Sequence, residues 1–212
     1  PALWWRPTTT NRKTGNIPTA AVAADKARAS CKGCPHAFKN CYAWRGRVSQ
    51  GLRSMAKAHA KNPHRYTLAA AIAGRTFSAR FVRLTSIGDP TAASRHELRE
   101  VFDTAAQAAL GVIGYTAHWR KPANRWLRRW LLAYKGYYGV GLGWAIAQTI
   151  TAEEFSQAAE TGEHYELPDG SHLKLCDNQT ATLRGELPPT CNDCGFCTAD
   201  TVRRSNYAGV AF

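Results

Sequence analysis

The sequence lacks several features that would assign a protein to a class directly. Its most apolar stretch, residues 139–150, is interrupted by glycines and Gln148, so no run is long enough to cross a bilayer. We find no secretory signal, which disfavours a secreted protein with disulfides. No Gly-x-Gly-x-x-Gly opens a helix after a strand, which disfavours a dinucleotide-binding site of the Rossmann type. We therefore expect a soluble, cytoplasmic protein in a reducing compartment, with no membrane partner.

Acidic residues are few relative to basic ones. The 212 residues include 28 lysines and arginines against 15 aspartates and glutamates, a formal net charge of +13. This excess favours a polyanionic partner, such as nucleic acid or a nucleotide-derived substrate. Arg53, Lys57 and Lys61 recur at every fourth position on one face of a predicted helix. For that face we favour ordinary solvation over binding.

The seven cysteines fall into two groups. The first group is Cys31, Cys34 and Cys41, and the second is Cys176, Cys191, Cys194 and Cys197. An odd number of thiols argues against a complete set of disulfides. Two cysteines that are separated by two other residues can wrap around one metal ion or cluster. We therefore predict that all seven cysteines are metal or iron-sulfur ligands.

The two groups differ in the number of ligands they offer. Three cysteines on a four-iron cluster leave one iron without a protein ligand, whereas four cysteines close either a cluster or a tetrahedral zinc site. The second group is therefore expected to be structural or to relay electrons. One cluster drawing thiols from both groups is an alternative, so the sequence leaves open one cluster or two, and iron-sulfur or zinc at the second group.

Strand and helix patterns alternate along most of the chain. Strands are predicted at 17–24, 80–87, 112–118, 140–149 and 173–175, and helices at 48–60, 66–73, 94–110, 122–134 and 151–161. Capping-box spacings, Ser94 with Glu97 and Thr151 with Glu154, mark two helix starts. This alternation predicts a single α/β domain whose parallel sheet curves into a partial (β/α) barrel. Residues 1–16 are predicted to be an arm without regular structure, and 176–212 a Cys-rich segment.

Several polar residues follow the predicted strands. They are the first cysteine loop, residues 86–90 and 116–119, Gln148 and Cys176. Ligand sites of parallel α/β folds lie at the carboxyl ends of the strands. We therefore expect these residues to share one rim.

Four segments carry a resemblance to a known family. They are Asn11-Arg-Lys-Thr-Gly15, Cys41-Tyr42-Ala43, Arg83-Leu-Thr-Ser-Ile-Gly-Asp89 and the late Cys-x2-Cys-x2-Cys. Together they resemble the phage gene-eighty-eight family of radical-SAM-like iron-sulfur proteins, over about residues 11–212. The first loop reads Cys-x2-Cys-x6-Cys, whereas radical SAM enzymes typically have Cys-x3-Cys-x2-Cys. Asp89 stands where those enzymes have glutamate, and Ile87 where they have glycine.

The resemblance implies a cofactor set, and three hypotheses of function compete. It implies a 4Fe-4S cluster whose open iron binds S-adenosylmethionine, and a turn at Ser86, Gly88 and Asp89 that contacts this cofactor. The first hypothesis is a radical SAM enzyme of the phage-infected host cytoplasm, acting with an electron donor on an unknown substrate and with no catalytic residue assigned. The second is a non-catalytic basic protein, stabilised by iron-sulfur or zinc sites, that binds nucleic acid or a host partner. The third is electron transfer or redox sensing.

Overall fold

The fold is described from a computed structural model. It describes residues 1–8, 15–34, 41, 44, 46–76, 78–118, 126, 144–148, 150–162, 164–168, 170–190, 194 and 209–211. The helices of these ranges are α1 (Ala24–Ser30), α2 (Gly46–Lys61), α3 (Leu68–Ala73), α4 (Arg95–Gln107), α5 (Ala152–Thr161) and α6 (Asp177–Leu183), with 3₁₀ turns at Pro63–Tyr66 and Pro90–Ala92. Across the described ranges, no helix combines the length and apolarity that crossing a bilayer requires.

The strands of the described residues form one mixed sheet. They are β1 (Leu3–Arg6), β2 (Thr19–Val22), β3 (Phe81–Arg83), β4 (Gly111–Thr116), β5 (Trp144–Gln148), β6 (His164–Glu166), β7 (His172–Leu175) and β8 (Gly209–Ala211). Their order is β1-β2-β3-β4-β5-β8-β7-β6, and all neighbours from β2 to β7 pair in parallel. β1 and β6 pair antiparallel at the two ends, so the described sheet is open and no closed barrel forms. The predicted α/β class is confirmed.

The elements inside the described ranges follow the sequence prediction closely. Each of the five predicted strands overlaps an observed strand, and four of the five predicted helices overlap an observed helix. The predicted helix at 122–134 lies outside the described residues apart from Trp126. Helices α1 and α6 and strand β6 are absent from the prediction, because seven residues or fewer are too short to show a clear period.

The prediction of no regular structure in residues 1–16 is wrong for β1. This strand pairs with β2, from Leu3 opposite Val22 to Arg6 opposite Thr19. Its first three residues are all buried, including Trp5. Because successive strand residues point to opposite faces, β1 is covered on both faces and lacks the apolar-polar alternation that would have revealed it.

The two predicted capping boxes have different outcomes. At α5 the box is complete, with Thr151 and Glu154 each accepting a hydrogen bond from the other's backbone N–H. At α4, Ser94 Oγ accepts from the Glu97 N–H at 3.1 Å, which is half of the box. The Glu97 carboxylate instead accepts from the N–H groups of Ala2 and Leu3, at 3.0 and 2.8 Å. It therefore anchors the start of β1 to α4.

Candidate metal centre at the carboxyl edge of the sheet

The carboxyl ends of the parallel strands lie along one edge of the sheet. Strand register places the last residues of β4, β5, β8 and β7 side by side: Thr116, Gln148, Ala211 and Leu175. The first cysteine group follows β2 and α1, residues 86–89 follow β3, and Cys176 follows β7. Since neighbouring strands are about 4.8 Å apart, the ends of β2 and β7 are separated by about 24 Å along the sheet. The two cysteine groups thus follow well-separated strands of one rim.

The first cysteine group begins where α1 ends. The Cys34 N–H donates to the Cys31 carbonyl at 3.0 Å, which closes a turn around Gly33, whose φ is +86°. Cys31 is buried, while Cys34 and Cys41 are half-buried, and all three are thiols rather than halves of disulfides. Cys41 and Trp44 pack against the main core of the protein. The core therefore holds the far side of the loop in place.

The environment of Cys31 opposes its ionisation. Burial raises the pKa of the Cys31 thiol, and the negative charges of Cys34 and Cys41 raise it further, against hydrogen bonds from Ser30 and Trp44 that lower it. Both neighbouring sulfurs are therefore near enough for their charge to act on Cys31. A group of thiolates at this loop is unfavourable by itself, and a bound cation would relieve the repulsion.

Ser86 and Gly88 hold the turn after β3 against the end of β2. The Ser86 N–H and hydroxyl both donate to the Ala20 carbonyl, at 2.7 and 3.1 Å. Gly88 has a φ of +81°, and a Cβ at this position would lie 2.6 Å from the Val22 side chain. Both its backbone conformation and the approach of its neighbour require glycine here.

Asp89 is buried, and its carboxylate is engaged by donors of the chain itself. Oδ1 accepts from the N–H and hydroxyl of Thr91, at 3.0 and 2.7 Å. Oδ2 accepts from the Ala117 N–H at 2.8 Å, and the Thr116 hydroxyl lies 3.1 and 3.0 Å from the two oxygens. The Asp89 N–H donates to Ser30 Oγ at 3.0 Å, next to Cys31. Asp89 therefore joins the first cysteine group to the ends of β3 and β4, and its contact with a cofactor stays a prediction.

This network continues to His118, which is also buried. The His118 N–H donates to Thr116 Oγ1 at 3.1 Å, and its Nδ1 lies 3.4 Å from Thr91 Oγ1. Of the hydroxyl residues here, Thr116 was predicted only as part of the 116–119 segment at the rim, and Ser30 and Thr91 had no predicted role. Their only signal is position, since each lies close to the end of an element that faces the rim.

Cys176 and Cys194, the described members of the second cysteine group, lie near the start of α6. Cys176 is buried directly before this helix, and the Asp177 carboxylate pairs with Lys174 Nζ at 2.8 Å. The other Asp177 oxygen accepts from Cys194 Sγ at 3.4 Å. This contact therefore places Cys194 beside the residue that directly follows Cys176. Cys191 and Cys197 lie outside the described residues.

A small cavity of about 250 Å³ opens beside α6. Its lining carries charges of both signs, from Lys174, Asp177, Arg184 and Glu186. Pockets for drug-sized ligands measure roughly 300 to 1,000 Å³, so this cavity is below the usual size for a nucleoside cofactor. It lies at the end of β7, beside Leu175 of the rim, and is small for a cofactor site.

Coordination by the cysteines stays a prediction. Among the described residues, no three His, Cys, Asp or Glu side chains are close enough together to hold a metal ion. What the geometry provides is a backbone hydrogen bond that joins Cys34 to Cys31, and the contact of Cys194 with Asp177 at the start of α6. No protein family, curated protein or solved structure matches this chain. Its function must accordingly be inferred from its own residues.

Proposed function

We propose that the protein is an iron-sulfur protein of radical-SAM-like architecture that uses S-adenosylmethionine. In this proposal Cys31, Cys34 and Cys41 hold a 4Fe-4S cluster, and the parallel strands from β2 onward belong to a partial barrel. The observation that supports it best is that the buried Cys31 begins a turn that also holds Cys34, next to Ser30, which accepts a hydrogen bond from the Asp89 N–H in the turn after β3. The sequential order β2-β3-β4-β5 is the order in which such a barrel is built.

The chemistry of the donor set fits this cofactor. Thiolates are soft ligands that suit iron-sulfur clusters, and three of them leave one iron open for a second ligand. Binding would offset the burial and repulsion that oppose ionisation of Cys31, with release of protons. When bound, such a cluster supplies the electron that cleaves S-adenosylmethionine. Because no described side-chain group is already close enough to hold a metal, we expect loading to draw the sulfurs together.

The residues of the chain would position the site rather than react. Cys41 and Trp44 fix the loop on the core, which limits the access of water to one side of the loop. Gly88 lets the turn after β3 approach Val22 and Ser30, and the hydrogen bonds of Asp89 hold it there. In the proposed site this turn lies beside S-adenosylmethionine, as the resemblance implies for Ser86, Gly88 and Asp89.

The second cysteine group completes the proposal with a closed site. Cys176, Cys191, Cys194 and Cys197 would hold a second cluster or a zinc ion with no open position, in a structural or electron-relay role. The contact of Cys194 with Asp177 supports this placement.

Protein purified without exposure to air tests the proposal. We expect about four irons and four acid-labile sulfides per cluster, and the release of methionine and 5'-deoxyadenosine on reduction with dithionite in the presence of S-adenosylmethionine. Stoichiometric zinc without sulfide would replace the proposal with the non-catalytic basic protein. A loaded cluster that leaves S-adenosylmethionine intact would favour electron transfer or redox sensing.

A further inference from the structure

The net positive charge of the protein belongs to the first part of its sequence. Residues 1–88 contain 16 lysines and arginines and a single acidic residue, Asp25, whereas residues 89–212 contain 12 basic and 14 acidic residues. The whole excess of positive charge therefore belongs to the segment that builds β1 to β3 and α1 to α3. An average over the full chain hides this asymmetry.

Helix α2 carries a row of these charges on its exposed face. The row consists of Arg53, Lys57 and Lys61, and Arg65 lies in the 3₁₀ turn that follows the helix; all four are exposed. Along an α-helix such neighbours are about 6 Å apart. Leu52 and Met55 are buried on the opposite face. One face of α2 therefore packs on the core, and the row of cations lies on the other, exposed face.

Within the described residues, no negative charge pairs with this row. The segment 46–66 contains no aspartate or glutamate, and in the described part of the chain none of the four cations forms an ion pair. Exposed helices commonly alternate charges of opposite sign, and like charges four residues apart destabilise a helix. Simple solvation, which the sequence favoured for this face, does not explain why every charge has the same sign.

Side chains near α2 add one positive charge to this surface, and the aromatic rings there are packed against one another. Arg6 of β1 donates to the Gly51 carbonyl at 3.3 Å, so its guanidinium also lies on this helix. The ring of His59 stacks on Trp4 at 4.6 Å and contacts Tyr66 at 5.8 Å. These rings pack on one another, so the surface offers charges rather than aromatic faces. Such a surface suits phosphates rather than base edges.

We infer that Arg53, Lys57, Lys61, Arg65 and Arg6 form a surface that binds the phosphate backbone of nucleic acid without reading its sequence. The surface uses none of the predicted metal ligands. Nucleic-acid binding and iron-sulfur chemistry are therefore separate claims, and either can fail alone.

The test uses the full chain and a fluorescein-labelled single-stranded oligothymidylate, with anisotropy measured over a range of salt concentrations. Each phosphate contact contributes a slope of about −0.7 to the dependence of log K on log salt. We expect Arg53→Gln/Lys57→Gln/Lys61→Gln to make this slope shallower by about 2 and to weaken binding by about 100-fold at about 0.1 M salt. An oligoadenylate should bind within about threefold of the oligothymidylate, since phosphate contacts carry no sequence information.

Two control variants test whether binding depends on the positive charge of this row and on the place of that charge in the chain. The variant Arg53→Lys/Lys57→Arg/Lys61→Arg keeps every charge and should bind within about threefold of the original protein. Arg99→Gln/Arg184→Gln removes exposed cations from the other part of the chain and should also change binding by less than about threefold. The inference is overturned if the triple glutamine variant binds as the original protein does. Equal affinity for vesicles containing phosphatidylserine would overturn it in favour of a lipid surface.

Discussion

Ionisation of a cysteine depends on what surrounds its sulfur, and two of the described cysteines lie in opposite surroundings. Cys31 is buried beside two other thiols, which raises its pKa, whereas Cys194 is exposed. The thiolate is the nucleophile in alkylation. Reactivity therefore reports the environment of each sulfur directly.

In metal-free protein we expect iodoacetamide to modify Cys31 at least about tenfold more slowly than Cys194 near neutral pH. The raised pKa means that the folded protein keeps the Cys31 proton at a pH where the unfolded chain has lost it. Its contribution to stability is therefore present below the ordinary thiol pKa and lost as the pH rises through the raised value. Mass spectrometry of alkylated peptides across alkaline pH measures the rates. Equal rates for the two residues would contradict the assignment of Cys31 to a buried group of thiols.

The hydrogen-bond network at Asp89 determines which nitrogen of His118 carries a proton. The single hydroxyl proton of Thr91 is donated to Asp89 at 2.7 Å, so toward His118 the Thr91 oxygen can only accept. A hydrogen bond across this 3.4 Å contact therefore requires Nδ1 to be the N–H donor, which corresponds to the Nδ1–H tautomer of the neutral ring.

Long-range ¹H–¹⁵N NMR at alkaline pH should show His118 as the Nδ1–H tautomer. Thr91→Val removes the acceptor of this proton, so we expect a shift of the ring toward the Nε2–H tautomer, whereas Thr91→Ser keeps the hydroxyl and should keep the tautomer. A ring protonated on Nε2 in the unaltered protein would show that the relay from Asp89 through Thr91 is wrong.

At the scale of elements, Gly88 in the turn after β3 is required both by its backbone conformation and by the close packing around it. Gly88 has a positive φ, and a Cβ there would meet Val22 at 2.6 Å. Gly185, after α6, has a φ of +72° but open space around it, and Gly51 of α2 has open space and no positive φ. The three positions therefore separate the cost of backbone strain from the cost of overpacking.

We expect alanine to change stability differently at these three glycines. Gly88→Ala should cost about 2 to 4 kcal/mol, because strain and overpacking add, and Gly185→Ala should cost about 1 kcal/mol from strain alone. Gly51→Ala should stabilise the protein by about 0.5 to 1 kcal/mol, because alanine favours the helix. Urea unfolding of the three variants measures these differences. Equal losses at Gly88 and Gly185 would mean that the turn does not press against β2.

At the scale of the whole molecule, the order of strands affects whether the two cysteine groups can share one cluster. The first group follows β2 and Cys176 follows β7, with β3, β4, β5 and β8 between them. At about 4.8 Å per strand the ends of β2 and β7 are about 24 Å apart along the sheet. A shared cluster therefore requires the sheet to curve until these two ends approach each other, whereas two independent sites require no such curvature.

Serine variants of one cysteine from each group test this independence. We expect Cys34→Ser to remove the metal of the first site and leave that of the second, and Cys194→Ser to do the reverse. Iron, zinc and sulfide per chain, measured in protein kept from air, report both outcomes. Simultaneous loss of all metal in each variant, with the fold retained by circular dichroism, would show that the groups share one centre.

Features encoded by near neighbours could be predicted from the sequence. The alternation of strands and helices, the start of α5 at Thr151 and the placement of Cys176 after a strand depend on periodicities and spacings of a few residues. The sequence also placed the turn with Gly88 and Asp89 after the strand that became β3. The charge asymmetry between residues 1–88 and 89–212 was equally available, since it needs only a count by position.

By itself, then, the sequence determined the α/β class, the division of the cysteines into two groups and the residues that follow each strand. Tertiary structure alone decided that Leu3–Arg6 is a strand, that Glu97 binds the N–H groups of Ala2 and Leu3, and that Asp89 joins two strand ends. The reason is physical: period and capping depend on residues within a few positions. Strand pairing and buried carboxylates, in contrast, take partners that only folding brings near, 95 residues away in the case of Ala2 and Glu97.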